Sequence, residues 1–179
     1  MLREAENAYR MLQLSETGSD VYSSNCMIDV YSKRAMLEEA RSVFQELKNR
    51  GAANEFTYIM MLCLYRRIGR TDKAFQIAKR MRDSGLLKDP MSYNQVLGVY
   101  VLDGRIREAV LTFKEMNAAG ISPDDSTLRL LRLLLTRCGI SKHAVGKMEV
   151  SAKRDMNAGI QAYLSALSAI ALTDDSETT

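Results

Sequence analysis

Apolar residues recur along this chain at helical spacing, and the helical segments themselves recur about every 35 residues. Ala40, Val43, Phe44 and Leu47 stand at offsets of 0, 3, 4 and 7, which puts all four on one face of a helix. The stripe returns as Ala74, Ile77, Ala78 and Met81, and again as Ala109, Thr112, Phe113 and Met116. A second kind of apolar segment precedes it: Tyr58 to Tyr65 aligns with Tyr93 to Tyr100, and each tyrosine pair shares a helical face. Glycine punctuates both. Gly51, Gly85 and Gly120 follow the stripe helices at intervals of 34 and 35 residues, and Gly69, Gly104 and Gly139 follow the tyrosine segments at intervals of 35. Ala40, Ala74, Ala109 and Ala144 keep the same phase. Three tracks in one register predict repeats, each a pair of helices closed by a residue in the left-handed conformation that glycine reaches without strain.

A single hairpin cannot bury its own stripe, so such units stack into a solenoid. The expected divisions of one array spanning 1–172 are a half repeat at 1–20, repeats at 21–54, 55–89 and 90–124, a degenerate repeat at 125–155 and a capping helix at 156–172. The half repeat keeps only the stripe positions Ala5, Tyr9 and Leu12. That pattern fits the C-terminal part of a longer protein, or a natural half-repeat cap. Towards the other end Lys147 and Ser151 break the stripe and Asp155 stands where the terminal glycine is due. The capping helix carries Ile160, Tyr163, Leu164, Leu167 and Ile170. Residues 173–179 are polar and acidic and read as a disordered tail.

Composition narrows the chemistry. The 179 residues are 46% hydrophobic and 26% charged, with 25 basic and 22 acidic residues and a net charge of +3, too mild to imply nucleic acid by itself. No apolar run approaches the roughly 20 residues of a membrane helix, so no membrane partner is expected. Three scattered cysteines, Cys26, Cys63 and Cys138, predict a reducing compartment and read as small buried hydrophobes. One histidine, His143, cannot make a zinc site, and no phosphate-binding or dinucleotide-binding glycine motif occurs. The expectation is a non-enzyme with no metal and no cofactor.

The units resemble pentatricopeptide repeats. Ser92-Tyr93-Asn94-Gln95-Val96-Leu97, then Glu108-Ala109 through Phe113 and Met116, then Gly120-Ile121-Ser122-Pro123-Asp124 follow that family's motif in order. The tetratricopeptide repeat opens on a tryptophan, and this chain has none. The resemblance is strong over residues 21–124, covers 1–20 as a half unit and is weak over 125–155. It implies an all-α, right-handed α-solenoid of stacked helical hairpins with a C-terminal capping helix, of the plain type without catalytic appendages. It also implies one base of single-stranded RNA read per unit, in organellar RNA processing, stabilisation, splicing or translation in a plastid or mitochondrion.

In that family the fifth and last residues of a unit read the base. Here they are Asn25 with Asn54, Ile59 with Asp89, and Asn94 with Asp124. The resemblance gives uracil to Asn/Asp and a pyrimidine to Asn/Asn, while Ile59 has no hydrogen-bonding group and departs from the pattern. The second residue of each unit, Tyr22, Phe56 and Met91, is the candidate for stacking on bases, with burial between hairpins as the other reading. Arg129, Arg66 and Arg67 are candidate phosphate contacts. Three units alone imply weak RNA binding, and no DNA. A monomer or a weak homodimer through solenoid ends is expected, and a protein-interaction scaffold in an organellar complex is the alternative function.

Overall fold

The computed structural model describes residues 2–15 and 20–173, and the expected tail beyond 173 lies outside the described residues. Ten helices and no strand occur among them. They fall into two compact units, Met1–Leu87 and Lys88–Thr179. The first holds α1 (Leu2–Leu14), α2 (Val21–Lys33), α3 (Leu37–Asn49), α4 (Glu55–Arg67) and α5 (Thr71–Asp83). The second holds α6 (Pro90–Leu102), α7 (Ile106–Ala118), α8 (Asp125–Arg137), α9 (Lys142–Arg154) and α10 (Met156–Thr173).

The two helices of a hairpin start differently, and the difference sets where polar groups collect. Each of α2, α4, α6 and α8 opens on a side-chain cap, Asp20, Asn54, Asp89 and Asp124 in turn, whose oxygen accepts the N–H of the residue three further on. Helices α3, α5 and α7 open on Met36, Arg70 and Arg105 with no side-chain cap. They follow directly from the turn that closes the helix before. In that turn the Arg70 N–H reaches back to the Tyr65 carbonyl at 2.8 Å, and Gly69 takes φ 71° to allow it. Ala35 fills the same place after α2 at φ 56°, with Met36 N–H donating to Tyr31 O at 3.0 Å.

In the first unit α2 packs on α3, α4 packs on α5, and α2 lies beside α4. The stripe residues Ala40, Val43, Phe44 and Leu47 are buried, as are Ala74, Ala78 and Met81. Phe44 meets Tyr58 edge to face, ring centres 5.2 Å apart. Helix α1 joins α2 where the Tyr9 and Ser24 hydroxyls pair at 2.9 Å. The second unit repeats the scheme with α6 on α7 and α6 beside α8, and α10 then packs on α9 and α7. Asp155 ends α9 in extended backbone, and its carboxylate accepts from Asn157 N–H at 2.9 Å and Ala158 N–H at 3.3 Å. The residue standing where glycine was due therefore starts a new helix instead of closing a left-handed turn. Tyr163 and Leu167 bury the inner face of α10.

The cysteines correct an expectation. Cys26 is exposed, and Cys63 and Cys138 are only half-buried. Cys26 follows Asn25 on the open side of α2, whereas the buried side of that helix is taken by Ser24, Met27, Ile28 and Tyr31. His143 is exposed on α9.

Candidate nucleic-acid interface

A cap oxygen in each unit does a second job. Asn54 Oδ1 takes the Thr57 N–H at 3.1 Å, which caps α4, and it also lies 3.3 Å from Asn25 Nδ2 on α2. The Thr57 hydroxyl accepts the Asn54 N–H at 3.2 Å and donates to Asn25 Oδ1 at 2.7 Å. In the second unit Asp124 Oδ1 takes the Thr127 N–H at 2.8 Å and the Asn94 amide Nδ2 at 2.9 Å. The Thr127 hydroxyl accepts the Asp124 N–H at 3.2 Å and donates to Asn94 Oδ1 at 2.7 Å. Each carboxamide thus keeps one N–H and one oxygen lone pair unused by these bonds. A donor and an acceptor side by side are what the edge of a nucleobase, or a peptide group, can pair with.

The electrostatics of the second pair are set by the same contacts. Partial burial pushes the Asp124 carboxyl up. The Thr127 N–H, the Asn94 amide and the Ser126 N–H outweigh it and hold the group below the ordinary carboxylate range. Asp124 is therefore an anion at neutral pH, able only to accept.

Around Asn25 the surface forms an open cleft of about 690 Å³, lined by Tyr22, Asn25, Cys26, Asp29, Asn54, Phe56 and Met60 together with Val21 and Val30. Tyr22 is 77% exposed and Phe56 51% exposed, so neither side chain is buried between hairpins. Met91, on α6, is 43% exposed. A cleft of this volume with aromatic walls and a few fixed polar groups suits a flat ligand.

Three family models match in succession: the PPR repeat family over residues 19–64, the pentatricopeptide repeat domain over 42–103 and the PPR repeat over 91–121. The chain belongs to the pentatricopeptide repeat family. A pentatricopeptide repeat-containing protein of Arabidopsis thaliana is 52% identical over 101 residues, which is 55% of this chain and 12% of that protein. Another from the same plant, named mitochondrial, is 24% identical over 146 residues, 82% of this chain and 27% of its own length. A third, named chloroplastic, is 27% identical over 121 residues, 67% of this chain and 14% of its own length. The chain thus spans between about a tenth and a quarter of the length of these relatives. The crystal structure of the pentatricopeptide repeat protein PPR10 from maize matches with a TM-score of 0.58 at 18% identity, covering 94% of this chain and 27% of that one. The structure of PPR10 in complex with an 18-nucleotide psaJ RNA element matches with a TM-score of 0.51 at 22% identity, over 99% of this chain and 32% of that one. The all-α helical-repeat fold is that of a pentatricopeptide solenoid.

The remaining candidate residues do not all gather at the amides. Ile59 is 5% exposed and turns its side chain into the core, so it offers neither a polar group nor an open apolar surface at the fifth position. Asp89 caps α6, with its Oδ1 2.8 Å from the Ser92 N–H. Arg66 and Arg67 close α4, seven and eight residues, or about 11–12 Å along the axis, from the level of the fifth residue. The Arg67 guanidinium donates to the Ser32 carbonyl at 2.9 Å, tying the C-terminal end of α2 to that of α4, and Arg137 ties α8 to Val101 of α6 in the same way. Arg129 is exposed at the fifth position of α8 and donates to the Ser126 hydroxyl at 2.7 Å. The sequence reading missed Thr57 and Thr127. A threonine near a helix start is so common that only the preceding unit's asparagine gives it meaning.

Proposed function

We propose that this pentatricopeptide chain binds single-stranded RNA without catalysing its cleavage or modification, in the service of organellar RNA metabolism. Asn94 with Asp124 is the uracil-favouring pair and Asn25 with Asn54 the pyrimidine-favouring pair, and Tyr22, Phe56 and Met91 offer surfaces on which bases stack. The observation that carries this reading is the repeated carboxamide, held by a cap oxygen and a hydroxyl with its free donor and acceptor left over. The aromatic cleft beside Asn25 supports it, because stacking is worth about 1–3 kcal/mol per base and tolerates any base. Relatives named mitochondrial and chloroplastic support the organellar part of the reading. The unit with Ile59 contributes position rather than base choice. Arg129 is the best-placed phosphate contact, since Arg67 is already engaged with a helix end.

Fluorescence anisotropy of short labelled RNAs at several salt concentrations tests the reading. RNA held through its backbone weakens with a log–log slope of about −0.7 for every phosphate neutralised, and so short an array should bind at micromolar Kd or weaker. Binding to RNA that ignores salt and base composition would sink the reading. It would leave the apolar cleft as a groove for a peptide or partner helix, whose binding responds little to salt.

A further inference from the structure

Two bonds, not one, hold each carboxamide in the proposed base-reading pairs. We infer that Thr57 and Thr127, the third residues of the units after Asn25 and Asn94, are positioning residues for base choice, an assignment that rests on the RNA reading above. A carboxamide can turn over, exchanging its donor for its acceptor, and the edge it shows a base then reverses. Asp124 can only accept, so Asn94 must face it with Nδ2. The Thr127 hydroxyl has one proton, and its shortest acceptor is Asn94 Oδ1 at 2.7 Å. The two demands agree, and together they leave one orientation. In the other unit the Asn54 oxygen is committed to the Thr57 N–H and so faces Asn25 as an acceptor, while the Thr57 hydroxyl meets Asn25 Oδ1 at the same 2.7 Å.

The chain contains its own control. Ser92 occupies the third position after the unit whose fifth residue is Ile59, which has no acceptor to hold. Its hydroxyl turns to the Asp89 carbonyl at 2.9 Å and takes N–H groups from Lys88 and Asp89, so it serves the helix cap alone. The Thr57 and Thr127 hydroxyls make their shortest bond to the asparagine of the preceding repeat, whereas the Ser92 hydroxyl bonds only within its own turn.

The test compares Thr127→Val, which removes the hydroxyl at nearly constant shape, with Thr127→Ser, which keeps it, and with Ser92→Ala, which removes only a cap hydroxyl. Side-chain amide resonances of Asn94 are recorded on the full chain without RNA, and anisotropy compares uracil-rich with adenine-rich RNAs of equal length. Thr127→Val should collapse the separation and the exchange protection of the Asn94 amide protons. It should also cut the uracil preference about fivefold, the size of one neutral hydrogen bond. Thr127→Ser should keep both, and Ser92→Ala should lower stability while leaving the preference intact. Unchanged amide signals and preference in Thr127→Val would overturn the inference, and so would an equal loss of preference in Ser92→Ala. If the unaltered chain shows no base preference, the RNA reading itself fails, and the amide resonances still decide whether the threonine holds the asparagine.

Discussion

Ala35 holds φ 56° at the place after α2 where α4, α6 and α8 are followed by glycine. An alanine in the left-handed region carries about 1–2 kcal/mol of steric strain from its Cβ. Ala35→Gly should therefore stabilise the protein by about 0.5–1 kcal/mol after the added freedom of the unfolded chain is subtracted. Gly69→Ala, which introduces the same strain at φ 71°, should destabilise it by a similar amount, and urea unfolding of the two variants checks both signs. Cys26 gives a second residue-scale prediction. It lines the cleft and is exposed, whereas Cys63 is half-buried and its thiol is pushed up by burial, against the pull of Arg66 and Arg67. Alkylation near neutral pH, read by mass spectrometry, should modify Cys26 well before Cys63, because only the thiolate reacts. Saturating RNA should slow Cys26 several-fold and leave Cys63 unchanged. Equal labelling of Cys26 with and without RNA would place the bound strand elsewhere.

At the scale of the element, helix ends and helix contacts decide what the sequence shows and what it conceals. Gly159 on α10 is buried against Ala152 of α9, and a Cβ there would lie on top of the alanine backbone. Gly159→Ala should destabilise the second unit by about 1–3 kcal/mol, a cost of overpacking that thermal unfolding reads directly. The capping carboxylates set the acid limit. Asp20 is held low by the Ser23 N–H and hydroxyl, and Asp124 is low once its hydrogen bonds outweigh its burial. Both folded-state values lie below the unfolded ones, so their contribution is complete above about pH 5 and disappears as the pH falls through about 4 and lower. Asp124→Asn, which keeps a capping oxygen as Asn54 does, should flatten part of that acid slope in urea titrations without loss of fold. Much of this level was legible beforehand. The buried stripes and the left-handed glycines follow from spacing alone, because burial on one helical face and φ above zero each leave a residue-type signature. Ala35 was hidden because alanine carries no such signature. Nothing in the sequence marks which side of α2 faces outward, which is why Cys26 was expected in the core.

For the whole molecule, the two compact units carry the same device built from different residues: Asn25 with Asn54 and Thr57 in one, Asn94 with Asp124 and Thr127 in the other. The fifth and last positions were readable from the repeat phase, since a period of 35 residues numbers every unit alike. Their joining through a third hydroxyl was not, because it links neighbouring repeats through space. The central claim is that these carboxamides choose bases. The most direct test is anisotropy of equal-length uracil-rich and adenine-rich RNAs against the unaltered chain and against Asn94→Ala. That variant deletes the amide and leaves the Asp124 cap of α8 in place, so the fold is not the variable. A uracil preference that falls several-fold in Asn94→Ala, with adenine-rich RNA bound as before, is the predicted result. A chain that binds both RNAs equally, or whose preference survives Asn94→Ala, would contradict the account.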